Sequence, residues 1–269
     1  MWGFLMSKYT VSTLQNLKNN HTRFGTITAY DAAFAKIFDD CEVPALLIGD
    51  SLGMVMQGRE STIGVTVDDV AYHTRCVSKV VKNSLIIADL PFMSYYDKPT
   101  AAVSAKKLME SGANVVKLEG GQEIADIVTM LVHNGIPVCS HIGLTPQFVN
   151  IFGGYKIQGR SEEQARKLLN DAQALQEAGA CMIVLECIPA ELAKEITRKL
   201  RIPTIGIGAG NNTDGQILVM HDAFGITPGH TPKFARNFLQ EAGNFTDAVK
   251  LYLSEVQNGN FPNDSQSFH

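Results

Sequence analysis

Three junctions in this chain share one grammar, and together they restrict the fold more than any other feature. They read ESGANVVKLEGG, VHNGIPVCSHIG and QEAGACMIVLEC. Each closes a helix-like segment with a glycine (Gly112, Gly135 or Gly179) and then enters a short apolar strand. Glycine just past a helix supplies the left-handed residue that ends it. The segment before Gly179 begins at Ser161 with Gln164 three residues later, a capping-box pattern. Its Ala165, Leu168, Leu169, Ala172 and Leu175 recur at helical spacing. In PAELAKEITRKL, Pro189 suits a first turn, and Leu192, Ile196 and Leu200 share one face. Strands are expected near 24–29, 45–49, 85–90, 114–119, 137–141, 181–187, 203–208 and 217–221, with helical segments between most of them. This alternation implies a parallel sheet. Eight such units in about 250 residues fit an α/β fold of the (β/α)₈ TIM-barrel type, with an open doubly wound sheet as the alternative.

With no linker or shift of composition, residues 1–269 read as a single barrel domain. Residues 1–5 and about 256–269 are expected as peripheral tails: Met6 is as good a start as Met1, and NGNFPNDSQSFH is polar and turn-rich. A net charge of −4 without a basic run gives no footprint for nucleic acid. No apolar run approaches the roughly 20 residues of a membrane span, and MWGFLMSKYT lacks the form of a signal peptide. Five cysteines with no CxxC pair argue against a zinc module or a disulfide framework and favour a cytoplasmic location.

The stretch ALLIGDSLGM, 45–54, runs an apolar strand straight into Asp50 and Ser51. A buried carboxylate costs several kcal/mol, on the order of its desolvation penalty, unless a cation or donors offset it. The same pattern recurs. On period-two parity Asp50 is in step with Leu46 and Ile48, Asp89 with Leu85 and Ile87, and Lys117 and Glu119 with Val115. His141 is in step with Cys139, and Glu186 with Met182 and Val184. In a barrel, catalytic groups gather at the C-terminal ends of the strands. Each residue alone has an ordinary explanation: an aspartate caps a turn, Lys117 and Glu119 pair inside the barrel, a lone histidine is a satisfied core residue. Their coincidence on five strands makes the set an active site.

Residue types then suggest the chemistry. Two aspartates and a glutamate are hard oxygen ligands, which favour magnesium over zinc. Lys117 offers a cation to a substrate carboxylate or enolate oxygen. MIVLECIP surrounds Glu186 with apolar side chains, and a carboxylate enclosed in this way is a candidate for proton transfer beside a polarised carbonyl. The set points to enolate chemistry on a small oxo acid. Two long connections, SLGMVMQGRESTIGVTVDD and IGLTPQFVNIFGGYKIQGR, have the length of functional loops. The second offers glycines and Lys156 or Arg160 to an anion, or forms a polar lid. IGIGAG, 205–210, lacks the dinucleotide-binding spacing. It fits a phosphate site or close backbone packing.

The motifs TITAYD, LIGDSLGM, VTVDDVAYHTR, ADLPFMSY, VKLEGG, HIGLTPQ, NIFGGYKIQGR, VLEC, IGIGAG, TDGQILVMHDAFGI and PKFA occur in order from about Thr10 to about Tyr252. In them the chain resembles the ketopantoate hydroxymethyltransferase family. The resemblance implies transfer of a hydroxymethyl group from methylenetetrahydrofolate to α-ketoisovalerate (3-methyl-2-oxobutanoate), the first step of pantothenate biosynthesis, with one Mg²⁺ per subunit. It implies that Asp50 and Asp89 hold the metal with Glu119 as a further, partly water-mediated ligand. Asp50 and Asp89 thereby join Ser51, Lys117 and His141 around the oxo acid, and Glu186 is the general base. It also implies a cytoplasmic homo-oligomer, usually a decamer of two pentameric rings. FAKIFDD, 34–40, and the helices near LEC are expected to supply apolar surface for assembly. Two departures, Gly64 where many relatives have proline and Arg59 in place of a common histidine, bear on the first long loop and its folate contacts. The closest rival is a magnesium-dependent C–C lyase or mutase of the phosphoenolpyruvate and isocitrate lyase kind, whose mark would be a cysteine in a lid loop. A non-catalytic barrel would have no use for inward Lys117, Glu119 and Glu186 together.

Overall fold

The computed structural model describes residues 8–227, 229 and 231–269. The expectation for residues 1–5 lies outside the described residues. Eight parallel strands close into one barrel in chain order. They are β1 (Phe24–Thr28), β2 (Ala45–Ile48), β3 (Leu85–Asp89), β4 (Val115–Glu119), β5 (Val138–Gly143), β6 (Met182–Glu186), β7 (Thr204–Ile207) and β8 (Gly215–Leu218), with β8 pairing back onto β1. The closed barrel, not the open sheet, is the architecture. The three junction glycines have φ of +107°, +82° and +100°, the left-handed backbone that ends each helix. Ser161 caps the helix Glu162–Glu177 by accepting the Gln164 N–H.

Strand alternation sorts the apolar side chains into two layers. Ala45, Leu47, Leu85, Ile87, Val115, Cys139, Met182, Val184, Ile205 and Ile217 fill the barrel, and Leu14 of the helix Val11–Asn19 packs against this inner set. Leu46, Ile48, Ile86, Val116, Leu118, Ile183 and Leu185 point the other way and meet the helices. The sequence placed β8 two residues late. Gly215 starts the strand because Phe24 packs so tightly there that a Cβ would stand 2.5 Å from its ring. Residues 220–221, expected as strand, open the short helix Met220–Ala223, whose first N–H donates to Thr28 Oγ1.

Two further expectations are corrected. The C-terminal segment is not a loose tail: Val256, Phe261, Gln266 and Ser267 are buried. The Phe261 ring packs edge-on against Phe238 and Tyr252, and the Phe268 carbonyl accepts the Ala190 N–H at 2.8 Å. The apolar side chains of FAKIFDD are taken up within the chain, where Phe34 and Phe38 join Phe224 and Phe245 in an aromatic cluster.

Asp39, the most deeply enclosed carboxylate outside the cavity, ties the helix Ala32–Asp40 to the start of β3. It accepts the backbone N–H groups of Lys82, Asn83 and Ser84 at 2.8–3.0 Å, together with the Ser84 hydroxyl. Burial works to raise its pKa, but these donors hold it below the usual carboxylate value. The folded state therefore binds this proton less tightly than the unfolded chain. The resulting stability is present above about pH 4 and is lost as the pH falls through the folded pKa. Asp39→Ala should destabilise the protein by about 2–3 kcal/mol at neutral pH. In thermal melts that difference should shrink in acid, whereas a difference independent of pH would show that the ionised carboxylate is not what matters.

Candidate active site

A cavity of about 460 Å³ opens at the C-terminal ends of the strands, where Asp50, Ser51, Asp89, Lys117, Glu119, His141 and Glu186 all line it. For five of these residues alternation is the cause. Asp89 is in register with inward Leu85 and Ile87, Lys117 and Glu119 with Val115, His141 with Cys139, and Glu186 with Met182 and Val184. Asp50 arrives by another route. Leu46 and Ile48, with which it is in step, face the helices, and the inward residues of β2 are Ala45 and Leu47. Asp50 lies beyond the strand's end at Ile48, in a turn that redirects it, and its N–H donates to Asp89 Oδ2 at 3.3 Å. Parity did not put it there.

The floor of the cavity is a buried charge cluster. Lys117 Nζ lies 2.8 Å from Asp89 Oδ1 and 3.4 Å from Glu119 Oε1, all three side chains being 4% exposed or less. Burial alone would lower the Lys117 pKa, but Asp89, Glu119 and Asp50 together raise it well above normal. Burial pushes the Asp50 carboxyl up, and the charges of Asp89 and Glu119 push it further. Asp89 is raised by burial against the opposing pull of Lys117. For Glu119, Lys117 and His141 outweigh burial and hold the pKa down. Three carboxylates thus face one ammonium, and the strain of that imbalance falls on Asp50.

Oxygen atoms of Asp50, Asp89 and Glu119 all lie within 4.8 Å of one another. The donor set is oxygen only and carries excess negative charge, which suits a hard divalent cation. The residues therefore fit a metal ion such as magnesium.

Gln147, absent from the sequence-based set, organises this floor. Its Nε2 donates to Asp50 Oδ2 at 2.9 Å and to the Leu90 carbonyl at 3.0 Å. Its backbone N–H donates to Glu119 Oε2 at 3.0 Å, and its Oε1 accepts the Tyr95 hydroxyl at 2.7 Å. One residue on the turn Pro146–Phe148 thereby holds two of the three carboxylates, Asp50 by its side chain and Glu119 by its backbone. Asp50 Oδ1 takes no hydrogen bond among the described residues. Ser51 Oγ lies 2.8 Å from the hydroxyl of fully buried Tyr30, a second residue the sequence did not mark.

His141 bridges the floor to Glu186. Its Nδ1 lies 3.3 Å from Glu119 and its Nε2 3.3 Å from Glu186, ion-pair distances without the alignment of hydrogen bonds. Burial and Lys117 work to lower its pKa, but the two carboxylates prevail and push it up to about 9. Glu186 is not sealed among apolar side chains as the sequence suggested. At 16% exposed it is the carboxylate that reaches the open part of the cavity. The next residue, Cys187, sits at φ +47°, a strained conformation for a side-chain-bearing residue.

Both long connections wall the mouth. Met54 and Thr62 come from the first, and Tyr155, Lys156 and Ile157 from the second. The two meet where the Tyr155 hydroxyl donates to Met54 Sδ at 3.4 Å. Lys156 lines the cavity and Arg160 does not. IGIGAG is a site of close packing: a Cβ on Gly206 would stand 2.7 Å from Thr213, and one on Gly210 2.6 Å from Ala190.

The family model described as ketopantoate hydroxymethyltransferase matches residues 8–264. The chain belongs to the ketopantoate hydroxymethyltransferase family. It is 56% identical to the 3-methyl-2-oxobutanoate hydroxymethyltransferase of Colwellia psychrerythraea over 263 residues, covering 98% of this chain and 100% of the relative. To the enzyme of the same name from Cronobacter sakazakii it is 57% identical over 264 residues, with the same shares covered. Among solved structures, phosphonopyruvate hydrolase in complex with oxalate and Mg²⁺ superposes with a TM-score of 0.61 at 11% identity, over 80% of this chain and 81% of that one. A 2,3-dimethylmalate lyase of the PEP mutase/isocitrate lyase superfamily does so with a TM-score of 0.56 at 18% identity, over 77% and 80%. These two likenesses are of fold.

Proposed function

We propose that the chain transfers a hydroxymethyl group from methylenetetrahydrofolate to α-ketoisovalerate, giving ketopantoate. The observation that carries this reading is one cavity holding a buried Asp50–Asp89–Glu119 triad, a cation at Lys117 and a more accessible carboxylate at Glu186. Relatives bearing the name of this activity match the chain over nearly its whole length. Asp50 and Asp89, with Glu119 behind them, would hold Mg²⁺. When bound, the ion supplies Lewis acidity to the keto oxygen and cancels part of the charge on the floor.

The chain's own residues do the rest. With Tyr30 donating to it, Ser51 Oγ keeps its proton for the oxo acid's carboxylate. Lys117, held between Asp89 and Glu119, places fixed positive charge beside the oxygen that becomes negative as the enolate forms. Glu186 removes the proton from the carbon next to the carbonyl, and His141 fixes that carboxylate by its 3.3 Å contact. The donor's methylene takes up one water as both of its C–N bonds break, giving tetrahydrofolate and a carbon at the formaldehyde level. The enolate carbon attacks it to form the new C–C bond, and the proton held by Glu186 passes to its oxygen to complete the hydroxymethyl group. The loops that meet at Tyr155 and Met54 limit water at the mouth. The lyase reading lacks its mark, since neither long loop carries a cysteine.

The wild-type enzyme should exchange that hydrogen of α-ketoisovalerate with deuterated solvent when Mg²⁺ is present and folate is absent. Glu186→Gln should bind the oxo acid almost normally yet exchange more slowly by roughly 10²–10⁴, the range for a lost general base. Exchange near the wild-type rate in that variant would sink the assignment and send the search for the base elsewhere.

Assembly into a homo-oligomer, a decamer by the family pattern, and a cytoplasmic location belong to the same proposal. Among the described residues no helix is long and apolar enough to cross a membrane. All five cysteines are free, as a reducing compartment allows. Support for assembly comes from Tyr72, Phe92, Met93, Tyr96 and Val103, exposed by 41–70% on the adjacent helices Val67–Ser78 and Lys98–Glu110 and the loop before the second. Sedimentation at micromolar concentration should show a large symmetric oligomer, and a fully active monomer would contradict it.

A further inference from the structure

The cavity has two unlike ends. Besides the charged floor, Ile207, Ile217, Val219, Phe234 and Phe268 line this cavity of about 460 Å³. That volume is of the size that encloses a drug-sized ligand, well beyond a five-carbon acid seated on the floor. A second reactant has room beside it.

Phe268 belongs to the last two residues of the chain, yet it is firmly held. The strap that carries it is anchored first by buried Phe261 and then by a turn in which the Ser267 hydroxyl donates to the Asn263 carbonyl at 2.8 Å. Lys233 Nζ donates to the Ser267 carbonyl at 2.9 Å and lies 5.3 Å over the Phe268 ring. The Phe268 carbonyl accepts the Ala190 N–H, so the strap caps the helix Ala190–Lys199, which begins four residues after Glu186. The ring itself rests on the end of β7. A Cβ added to Gly208 would stand 2.9 Å from the Phe234 ring, 3.1 Å from the Phe268 ring and 3.2 Å from Cys187 Sγ. Gly208, at φ +60°, leaves the space in which both rings approach the residue that follows Glu186.

We propose that Phe268, together with Phe234, forms the subsite for the flat pyrimidine half of the one-carbon donor's bicyclic ring, which makes the C-terminal strap part of the catalytic cavity. This rests on the folate-dependent reading given above. Flat aromatic faces bind planar heterocycles by stacking and tolerate variation in their edges. The two anchors of the strap, at Ala190 and Lys233, fix the ring relative to Glu186. The donor's carbon is thereby presented to the oxo acid.

The test is isothermal titration of wild type, Phe268→Ala and Phe268→Tyr with tetrahydrofolate, which carries the ring system but no transferable carbon, in parallel with KM for each substrate. Phe268→Ala should bind it roughly 10- to 100-fold more weakly and raise the KM of the donor by a like factor, as the loss of one stacking partner does. The KM of the oxo acid should move much less, and Phe268→Tyr should restore binding. Unchanged binding in Phe268→Ala would overturn the subsite and leave the proposed activity standing. Equal losses in the Ala and Tyr variants, or equal rises in both KM values, would reduce Phe268 to a structural support and overturn it as well. If wild type binds no tetrahydrofolate, the folate-dependent reading falls and the subsite with it.

Discussion

Lys117 lies between Asp89 and Glu119 with Asp50 close by, and the whole set is shut away from water. Burying one ion pair already costs several kcal/mol per ion before the partners' attraction is counted. In this enclosure, burial and the charges of Asp89 and Glu119 push the Asp50 carboxyl up. A protein selected for stability alone would fill this space with Leu and Ile, as it does one layer lower with Leu85, Ile87 and Val115. On the function proposed above, a divalent cation and an anionic substrate would complete the cluster. Preorganised charge of this kind is the main means by which an enzyme stabilises charge that develops during reaction.

The architecture around the cluster follows from that need. The register of β3 to β6 pairs Asp89 with Lys117 and Glu119 with His141 and sets Glu186 two residues further along, opposite Gly143, so the five line a common cavity from the C-terminal ends of adjacent strands. What the strands cannot do is hold the carboxylates at fixed angles. Gln147 does this from outside the barrel, spanning Asp50, Glu119, Leu90 and Tyr95. The loop after β5 is therefore part of the site's rigid frame at its start and part of its mouth at Tyr155 and Lys156.

The residues that were readable in advance are those governed by a local period. Alternation along a strand depends only on the backbone, so the convergence of Asp89, Lys117, Glu119, His141 and Glu186 could be derived from spacing. Asp50 lines the same cavity, but its position depends on a turn after β2 and not on strand parity. Gln147 carries no signal in a polar loop, and its value appears only when residues almost 100 positions apart meet. The same holds for the C-terminal strap. NGNFPNDSQSFH has the composition of a mobile tail, and what orders it is a surface built by Ala190, Lys233, Phe238 and Tyr252. β8 begins two residues earlier than expected, at Gly215, which makes room for Phe24.

The central claim is that the buried carboxylates form one divalent-cation site shared with an oxo acid. Titration with Mn²⁺, followed by loss of the free ion's electron paramagnetic resonance signal, reads it directly. Wild type should bind the ion stoichiometrically with the chain and more tightly once α-ketoisovalerate is added. Asp89→Asn should lose affinity by more than about tenfold while keeping its fold by circular dichroism. Binding that is the same in both proteins, or that ignores the oxo acid, would contradict the account.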